Sequence, residues 1–187
     1  MSFLETIAFI TSLIAVTLGA FGMRFAWPWW VIGSVLYGAL FLDSAYYASA
    51  ALQLVFIAAA IWGWIGWGKA GAKPAYSTNK ERIITLIVLI TATIVLYPLL
   101  IEIGATSSAI EAFGFTGSVI AQVLMVLQRF EAWPLWFVVD LAYTYQYFQG
   151  ELYLTSVLYL IFTAIAILGW VRWQKESKVN AISKLVK

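Results

Sequence analysis

The chain has 187 residues, and 63% of them are apolar, compared with roughly 45–50% in an ordinary soluble domain. Charged residues make up only 11%, and histidine and cysteine are both absent. This composition excludes a soluble globule, and the missing residue types exclude disulfide frameworks, zinc sites and histidine-based catalysis. The net charge of +2 is too small to indicate a nucleic-acid partner. We therefore predict an all-α integral membrane protein that crosses the lipid bilayer several times.

Seven apolar stretches are long enough, or nearly so, to cross a bilayer as helices, which takes about 20 residues. In chain order they run from Phe3 to Phe21, Trp27 to Leu42, Tyr46 to Trp67, Ile83 to Leu100, Ala109 to Leu127, Trp133 to Phe148 and Leu152 to Trp173. The second and the sixth are short and contain polar and aromatic residues, so the alternative of six spans needs a test.

The distribution of basic residues provides that test, because Lys and Arg concentrate in cytoplasmic segments. With seven spans, all 11 basic residues fall on one side of the membrane. They are Arg24, Lys69, Lys73, Lys80, Arg82, Arg129, Arg172, Lys175, Lys178, Lys184 and Lys187. Removing any one span would move basic residues to the other side. We therefore predict seven spans, with the N-terminus outside and the C-terminus in the cytoplasm.

The two halves of the chain repeat each other when the sequence is shifted by 106 residues. The identical pairs include Trp27 with Trp133, Trp30 with Trp136, Tyr37 with Tyr143, Phe56 with Phe162, Gly63 with Gly169 and Trp67 with Trp173. Each repeat holds three spans, and the fourth span stands alone between them. We predict a 3+1+3 arrangement of parallel repeats, related by an axis along the membrane normal.

This layout divides the chain into four parts. They are a first three-helix repeat (1–67), a cytoplasmic linker with the inserted fourth helix (68–105), a second repeat (106–173) and a cytoplasmic tail (174–187). Transporters built from such repeats bind substrate at the repeat interface near the bilayer midplane. The duplication therefore favours transport over catalysis, and we expect no enzymatic activity, no metal and no cofactor.

Asp140 is the one ionisable residue well inside a predicted span, where an acid costs about 2.5–3.5 kcal/mol to insert. It shares a stripe of three- and four-residue steps with Trp133, Trp136, Tyr143 and Tyr147. The matching stripe on the second span holds Trp27, Trp30, Ser34, Tyr37 and Phe41. Two aromatic stripes with one carboxylate suit a flat organic cation, through cation–π contacts and an ion pair. The structural alternative is a protonated or hydrogen-bonded carboxyl group between helices.

Further polar side chains are candidates for the same site. Gln53 on the third span matches Tyr159 on the seventh, and Gln122 gives the fifth span a polar face. Either amide could equally form a hydrogen bond between helices, worth about 1 kcal/mol. Trp67 and Trp173, the outermost tryptophans, are expected in the belts at the membrane interface instead. The candidate substrate-binding residues are Trp30, Ser34, Tyr37, Gln53, Gln122, Trp136, Asp140, Tyr143 and Tyr159.

Several short motifs recur in register with the repeat. They are the paired Trp-x-x-Trp elements at 27–30 and 133–136, Leu52-Gln53, and Gly-Trp-x-x-Trp at 63–67. Together with the 3+1+3 layout, they resemble the Pnu-type (PnuC-family) bacterial vitamin transporters. The resemblance implies a fold like that of full-length SWEET sugar transporters, assembled as a homotrimer in the bacterial inner membrane. It also implies facilitated diffusion of a dephosphorylated vitamin, which a cytoplasmic vitamin kinase traps by phosphorylation.

The family that this chain resembles includes transporters of nicotinamide riboside, thiamin and riboflavin. The resemblance carries binding roles to Trp30, Gln53, Trp136 and the position of Asp140. Riboside-type members have Trp-x-x-x-Asn where this chain has Trp136-Phe137-Val138-Val139-Asp140. The acid in place of the amide leads us to rank thiamin, the substrate of the PnuT branch, ahead of nicotinamide riboside as the alternative. Nicotinamide riboside is also a cation, so charge alone does not separate the two.

Other functions of seven-helix proteins fit less well. A retinal protein needs a Lys within a span, and no predicted span contains one. A proton-coupled pump is expected to show a chain of intramembrane acids or histidines, whereas Asp140 is solitary. An intramembrane enzyme would have to act with this carboxylate alone. A structural scaffold is the plainer alternative, and saturable uptake in proteoliposomes would distinguish it from a transporter.

Overall fold

The computed structural model describes residues 3–102, 104 and 108–185, and the regular structure of these residues consists of seven α-helices. They are α1 (Phe3–Ala20), α2 (Ala26–Asp43), α3 (Tyr47–Gly66), α4 (Asn79–Glu102), α5 (Ser108–Val126), α6 (Ala132–Gln149) and α7 (Tyr153–Leu185). Five helices are long and apolar enough to cross a membrane, and α2 and α6 are the two that fall short. The predicted boundary at 105/106 and residues 186–187 of the predicted tail lie outside the described residues.

Six of the helices form a closed ring. Within each repeat the middle helix packs against both neighbours, α2 against α1 and α3, and α6 against α5 and α7. The ring closes across the repeats, where α3 packs against α5 and α7 packs against α1. A shift of 106 residues exchanges each of these contacts with another, so the ring has pseudo-twofold symmetry. The predicted 3+1+3 architecture is confirmed.

Helix α4 stands outside the ring and packs against α5. Leu100 is its buried residue, whereas apolar side chains such as Ile87, Ile94 and Leu99 are exposed. With a mean hydropathy of 2.6, α4 is the most apolar of the candidate spans. Its surface is therefore suited to contact with lipid or with another apolar helix.

The largest differences from the predicted spans lie at two helix ends. Helix α4 begins at Asn79, one turn earlier than predicted, because Thr78 and Glu81 form a capping box in which each side chain accepts from the other's backbone N–H (2.6 and 3.2 Å). Helix α7 continues to Leu185, so residues 174–185 of the predicted tail are helical. Hydropathy marks where an apolar stretch ends, whereas a helix continues until capping or breaking residues end it.

The linker between α3 and α4, residues 68–78, crosses one end of the ring. Its backbone forms hydrogen bonds with loops of both repeats. The N–H of Ala72 donates to the carbonyl of Gly22 at 2.8 Å, and the N–H of Ala75 donates to the carbonyl of Gln128 at 2.9 Å. The linker therefore ties the first loop of one repeat to the first loop of the other.

Two ion pairs join the start of α4 to the loop between α5 and α6. Arg82 pairs with Glu131 and Arg129 pairs with Glu81, each at 2.7 Å. The loops that carry basic residues thus meet at one end of the ring. We refer to this end, formed by loops 21–25, 68–78 and 127–131, as the basic end.

Two tryptophan–glycine contacts hold the second and third helices of each repeat together. A Cβ atom added at Gly63 would lie 2.3 Å from the ring of Trp27. One added at Gly169 would lie 2.4 Å from the ring of Trp133. The two contacts are related by the repeat, and in each an indole lies against the bare backbone of the neighbouring helix.

The expectation that Trp67 and Trp173 form an interfacial belt is wrong, because their side chains are 3% and 0% exposed. Trp67 packs edge-on against Trp27, with ring centroids 4.8 Å apart, and Trp173 packs in the same way against Trp133 at 5.7 Å. Trp67 and Trp173 also contact each other at 5.7 Å. A position near a span end predicts a belt only for side chains that face lipid, and these two face the other repeat.

At the end of the ring opposite the basic end, carboxylates join the two repeats. The hydroxyl of Thr155 in α7 donates to the carboxylate of Glu5 in α1 at 3.3 Å. In the matching contact, the carboxylate of Glu111 in α5 lies next to the backbone N–H groups of Ala48 and Ser49 in the first turn of α3. Both acids are buried. A helix N-terminus stabilises a carboxylate through its unpaired N–H groups and its dipole.

Because the two indoles touch glycine backbone, one added methyl group should overpack each contact. We expect Gly63→Ala and Gly169→Ala to lower the thermal midpoint of the detergent-purified protein, at a cost of about 1–3 kcal/mol each. Gly66→Ala is the matched control, because nothing lies within 4 Å of its added Cβ. Equal midpoints for the three variants would contradict the described packing.

Candidate functional site

A cavity lies inside the ring, between the two repeats. Helices α1, α2, α3, α6 and α7 contribute its walls. The lining residues are Ser12, Ala15, Val16, Trp30, Ser34, Tyr37, Gln53, Phe56, Trp133, Trp136, Asp140, Tyr159 and Phe162. The structure therefore brings all the predicted site residues into one lining except Gln122 and Tyr143.

Two repeat-related tryptophans form the centre of the cavity wall. Trp30 of α2 and Trp136 of α6 approach each other across the pseudo-twofold axis, with ring centroids 6.5 Å apart and ring planes inclined by 40°. Phe56 packs against Trp136 at 5.9 Å. Each repeat thus contributes an aromatic wall to the same cavity.

The carboxyl group of Asp140 lies among these aromatic side chains. The residue is 3% exposed, and its carboxylate makes no ion pair or hydrogen bond within the described part of the chain. Its repeat mate, Ser34, is also buried in the lining. A buried carboxylate without a partner is costly. A cation in the cavity would therefore be stabilised by Asp140.

Gln53 and Tyr159 supply polar groups from the third helix of each repeat. The amide nitrogen of Gln53 donates to the backbone carbonyl of Ser49 at 3.3 Å, and the described residues give its amide oxygen no donor. Tyr159 packs against Tyr143 and Tyr147, with ring centroids 5.2 and 5.1 Å apart. The amide oxygen of Gln53 is thus an acceptor available to a ligand.

Aromatic side chains continue from the cavity towards the end that holds the carboxylate contacts. Tyr37 stacks on Phe41 at 5.3 Å, and Phe41 stacks on Tyr147 at the same distance. The hydroxyl of Tyr147 donates to the hydroxyl of Ser49 at 3.1 Å. This column therefore closes the ring on that side of the cavity.

Gln122 and Tyr143 are buried outside the cavity lining. Their repeat mates are Val16 and Tyr37, both of which line the cavity. The two predicted residues thus lie on the α5 side of the pseudo-twofold axis, opposite the side to which the cavity extends.

Sequence reasoning missed Phe56 and Phe162, although a signal for them was present. The two are identical in the repeat and lie one turn from Gln53 and Tyr159 on their helices. Ser12, Ala15 and Val16 of α1 were also missed, and Trp133 of α6 lay on the predicted aromatic stripe without being named a candidate. Small and apolar residues fill any helix interface, so α1 offered no sequence signal.

A ring of two parallel three-helix repeats around an aromatic cavity is the architecture of a membrane transporter built from internal repeats. Among the described residues, no group of His, Cys, Asp or Glu side chains could hold a metal ion. The fold and the cavity therefore define the class of the protein as a membrane transporter.

Comparison with known proteins identifies the family within this class. A family model described as "Nicotinamide mononucleotide transporter" matches residues 2–175, so the chain belongs to that family. The nicotinamide riboside transporter PnuC of Escherichia coli (strain K12) is 23% identical over 217 residues, which cover 98% of this chain and 91% of PnuC. The resemblance to the PnuC-family transporters inferred from the tryptophan motifs is confirmed.

Two further relatives extend the comparison. The riboflavin/roseoflavin transporter RibM of Streptomyces davaonensis is 26% identical over 183 residues, which cover 90% of this chain and 85% of RibM. A crystal structure of the vitamin B3 transporter PnuC superposes with a TM-score of 0.81 at 23% identity, covering 96% of this chain and 83% of that one. The fold is therefore shared along nearly the whole chain.

Proposed function

We propose that the protein mediates the facilitated diffusion of a dephosphorylated, cationic vitamin into the cell, with nicotinamide riboside as the first candidate. The observation that carries this proposal is the unpaired carboxylate of Asp140 in a cavity walled by Trp30 and Trp136. The riboside has a positive charge on a flat aromatic ring. Such a ring gains roughly 0.5–2 kcal/mol from each cation–π contact, and Asp140 adds an ion pair.

Each lining residue has a role in this proposal. The cationic ring contacts Trp30 and Trp136, and the carboxylate of Asp140 neutralises its charge. Hydrogen-bonding groups around the ring come from Ser34, Tyr37, Gln53 and Tyr159. This division follows the usual pattern of small-molecule sites, in which aromatic surface supplies area and a few polar groups fix orientation.

The sequence reasoning ranked thiamin first because of Asp140, and the relatives reverse that order. The description of the family model names nicotinamide mononucleotide, and the name of the Escherichia coli relative includes nicotinamide riboside. Thiamin is the second candidate, favoured by the same carboxylate, which would also neutralise a thiazolium cation. Riboflavin, named for the Streptomyces relative, is uncharged and would leave Asp140 without a counter-charge.

The proposed mode of transport is uniport. Asp140 is the carboxylate that lines the cavity, whereas ion-coupled transporters carry chains of ionisable residues. Net uptake then requires a cytoplasmic vitamin kinase that removes the free product. The proposed orientation has the basic end on the cytoplasmic side of the bacterial inner membrane and the N-terminus outside, which the excess of Lys and Arg at that end supports. Assembly as a homotrimer is part of the proposal, and the exposed apolar surface of α4 is available for it.

Titration calorimetry of the purified protein with nicotinamide riboside, thiamin and riboflavin tests the substrate. We expect micromolar or tighter binding of nicotinamide riboside and weaker binding of the other two. Tighter binding of thiamin would promote the second candidate, and binding of riboflavin alone would contradict the counter-charge role of Asp140. No binding of any of the three would overturn the proposed function.

Replacing Asp140 with Asn removes the counter-charge and keeps the size of the side chain. We expect Asp140→Asn to fold normally and its affinity for nicotinamide riboside to fall more than tenfold, which corresponds to about 1.4 kcal/mol or more of binding free energy. Asp43→Asn is the control, because Asp43 is an exposed acid at the end of α2. Unchanged affinity in Asp140→Asn would remove this carboxylate from the site.

Truncating one aromatic wall tests the cavity itself. Trp136→Ala should lower the affinity for the riboside about tenfold or more, because it removes one cation–π partner and its contact area. Trp62→Ala is the matched control, since Trp62 is exposed and lies outside the lining. Thermal midpoints recorded for both variants separate lost binding from unfolding, and equal affinities in folded variants would exclude the cavity as the site.

A further inference from the structure

The cavity is one-sided with respect to the pseudo-twofold axis. Its central lining consists of repeat mates, namely Trp30 and Trp136, Ser34 and Asp140, Gln53 and Tyr159, and Phe56 and Phe162. Beyond these pairs, the lining continues towards α1 through Ser12, Ala15, Val16, Tyr37 and Trp133. Of their repeat mates, Ser118, Ala121 and Gln122 lie on α5, and Tyr143 packs against α5 at Gly114. We refer to three of those mates, Ser118, Gln122 and Tyr143, as the α5 lobe.

The polar groups of the α5 lobe are buried, and the Gln122 amide has no hydrogen-bond partner. Both polar atoms of that amide make no hydrogen bond with the described residues, whereas the hydroxyl of Tyr143 lies next to the hydroxyls of Ser118 and Ser49. All three side chains are at most 1% exposed. Buried polar atoms in proteins are almost always paired with protein, water or ligand. Their clustering therefore indicates a site for a molecule that offers donors and acceptors.

The three side chains converge on each other and on the cavity. Ser118 and Gln122 are one turn apart on the same face of α5. The ring of Tyr143 lies against α5 one turn before Ser118, where a Cβ added at Gly114 would be 2.5 Å from its Cζ and 2.8 Å from its hydroxyl oxygen. Tyr143 also lies one turn from Asp140 on α6, so the α5 lobe adjoins the centre of the cavity.

The two sides of the axis differ in chemistry. On the α1 side, Val16 occupies the position that corresponds to Gln122. An amide on the α5 side thus corresponds to an apolar side chain on the α1 side. The pair would distinguish the two ends of a bound molecule, with the apolar end towards α1 and the hydrogen-bonding end towards α5.

We infer that the α5 lobe is the subsite for the hydroxyl-bearing part of the substrate, with the cationic ring held centrally at Trp30, Trp136 and Asp140. The inference rests on the proposed function and adds the orientation of the substrate, whose ribose points to α5. Since Tyr143 is packed tightly against Gly114, α5 and α6 are expected to separate slightly as the ligand enters.

The test compares two ligands that share the same cationic ring. Nicotinamide riboside carries the ribose, and 1-methylnicotinamide does not. Gln122→Val installs the residue of the other repeat and removes the amide that would bond the ribose hydroxyls. In titration calorimetry we expect Gln122→Val to lower the affinity for the riboside about tenfold or more. The affinity for 1-methylnicotinamide should change less than about twofold.

Gln146→Leu is the matched control for this test. Gln146 is also a buried amide without a partner, and its repeat mate, Leu40, does not line the cavity. The change should leave the affinity for both ligands unaltered. If Gln122→Val lacks a thermal unfolding transition, Ser118→Ala replaces it, with an expected loss of about threefold or more for the riboside alone.

The outcomes separate this inference from the proposed function. A lower affinity for the riboside alone supports the subsite. If a folded variant loses affinity for both ligands equally, or for neither, the inference is overturned and the proposed function stays in place. Failure of the unmodified protein to bind either ligand would remove nicotinamide riboside as the first candidate and overturn the inference with it.

Discussion

The packing of an indole ring against bare glycine backbone, made once in each repeat, is the contact on which the rest of the structure depends. Because Trp27 lies on Gly63 and Trp133 lies on Gly169, the second helix of each repeat is fixed in its rotation about its own axis. Small residues permit this close approach between helices in membranes. The rotation directs the tryptophan one turn later towards the pseudo-twofold axis, where the two indoles form the walls of the cavity.

Departures from the repeat make this symmetric frame suitable for an asymmetric solute. Duplication alone would give a cage with identical halves, whereas a charged ring attached to a sugar has two different ends. The chain differs between its repeats at the positions that matter for such a ligand: Ser34 corresponds to Asp140, and Val16 to Gln122. Charge and hydrogen-bonding capacity are thereby concentrated in the second repeat, while both repeats retain the aromatic walls.

The two ends of the ring are joined by different interactions. At one end, buried carboxylates contact the first turns of the third helices, and charge-assisted hydrogen bonds in a dry environment are strong. At the basic end, the linker and two partly exposed ion pairs join the loops, and exposed ion pairs contribute only about 0–1 kcal/mol each. Transporters of this architecture open by rocking one repeat against the other, and the ion pairs at the basic end are the more exposed of the two sets of contacts.

By itself the sequence determined the seven helices and the register of the repeat, because a span must be about 20 apolar residues long and tryptophans recur at matching positions. Three- and four-residue spacing also grouped most of the cavity residues on α2 and α6. The tertiary structure alone decided that Trp67 and Trp173 are buried, that Glu5 and Glu111 contact the opposite repeat, and that the cavity extends to one side of the axis. Helical periodicity fixes which residues share a face, but contacts with distant parts of the chain fix the direction in which that face points.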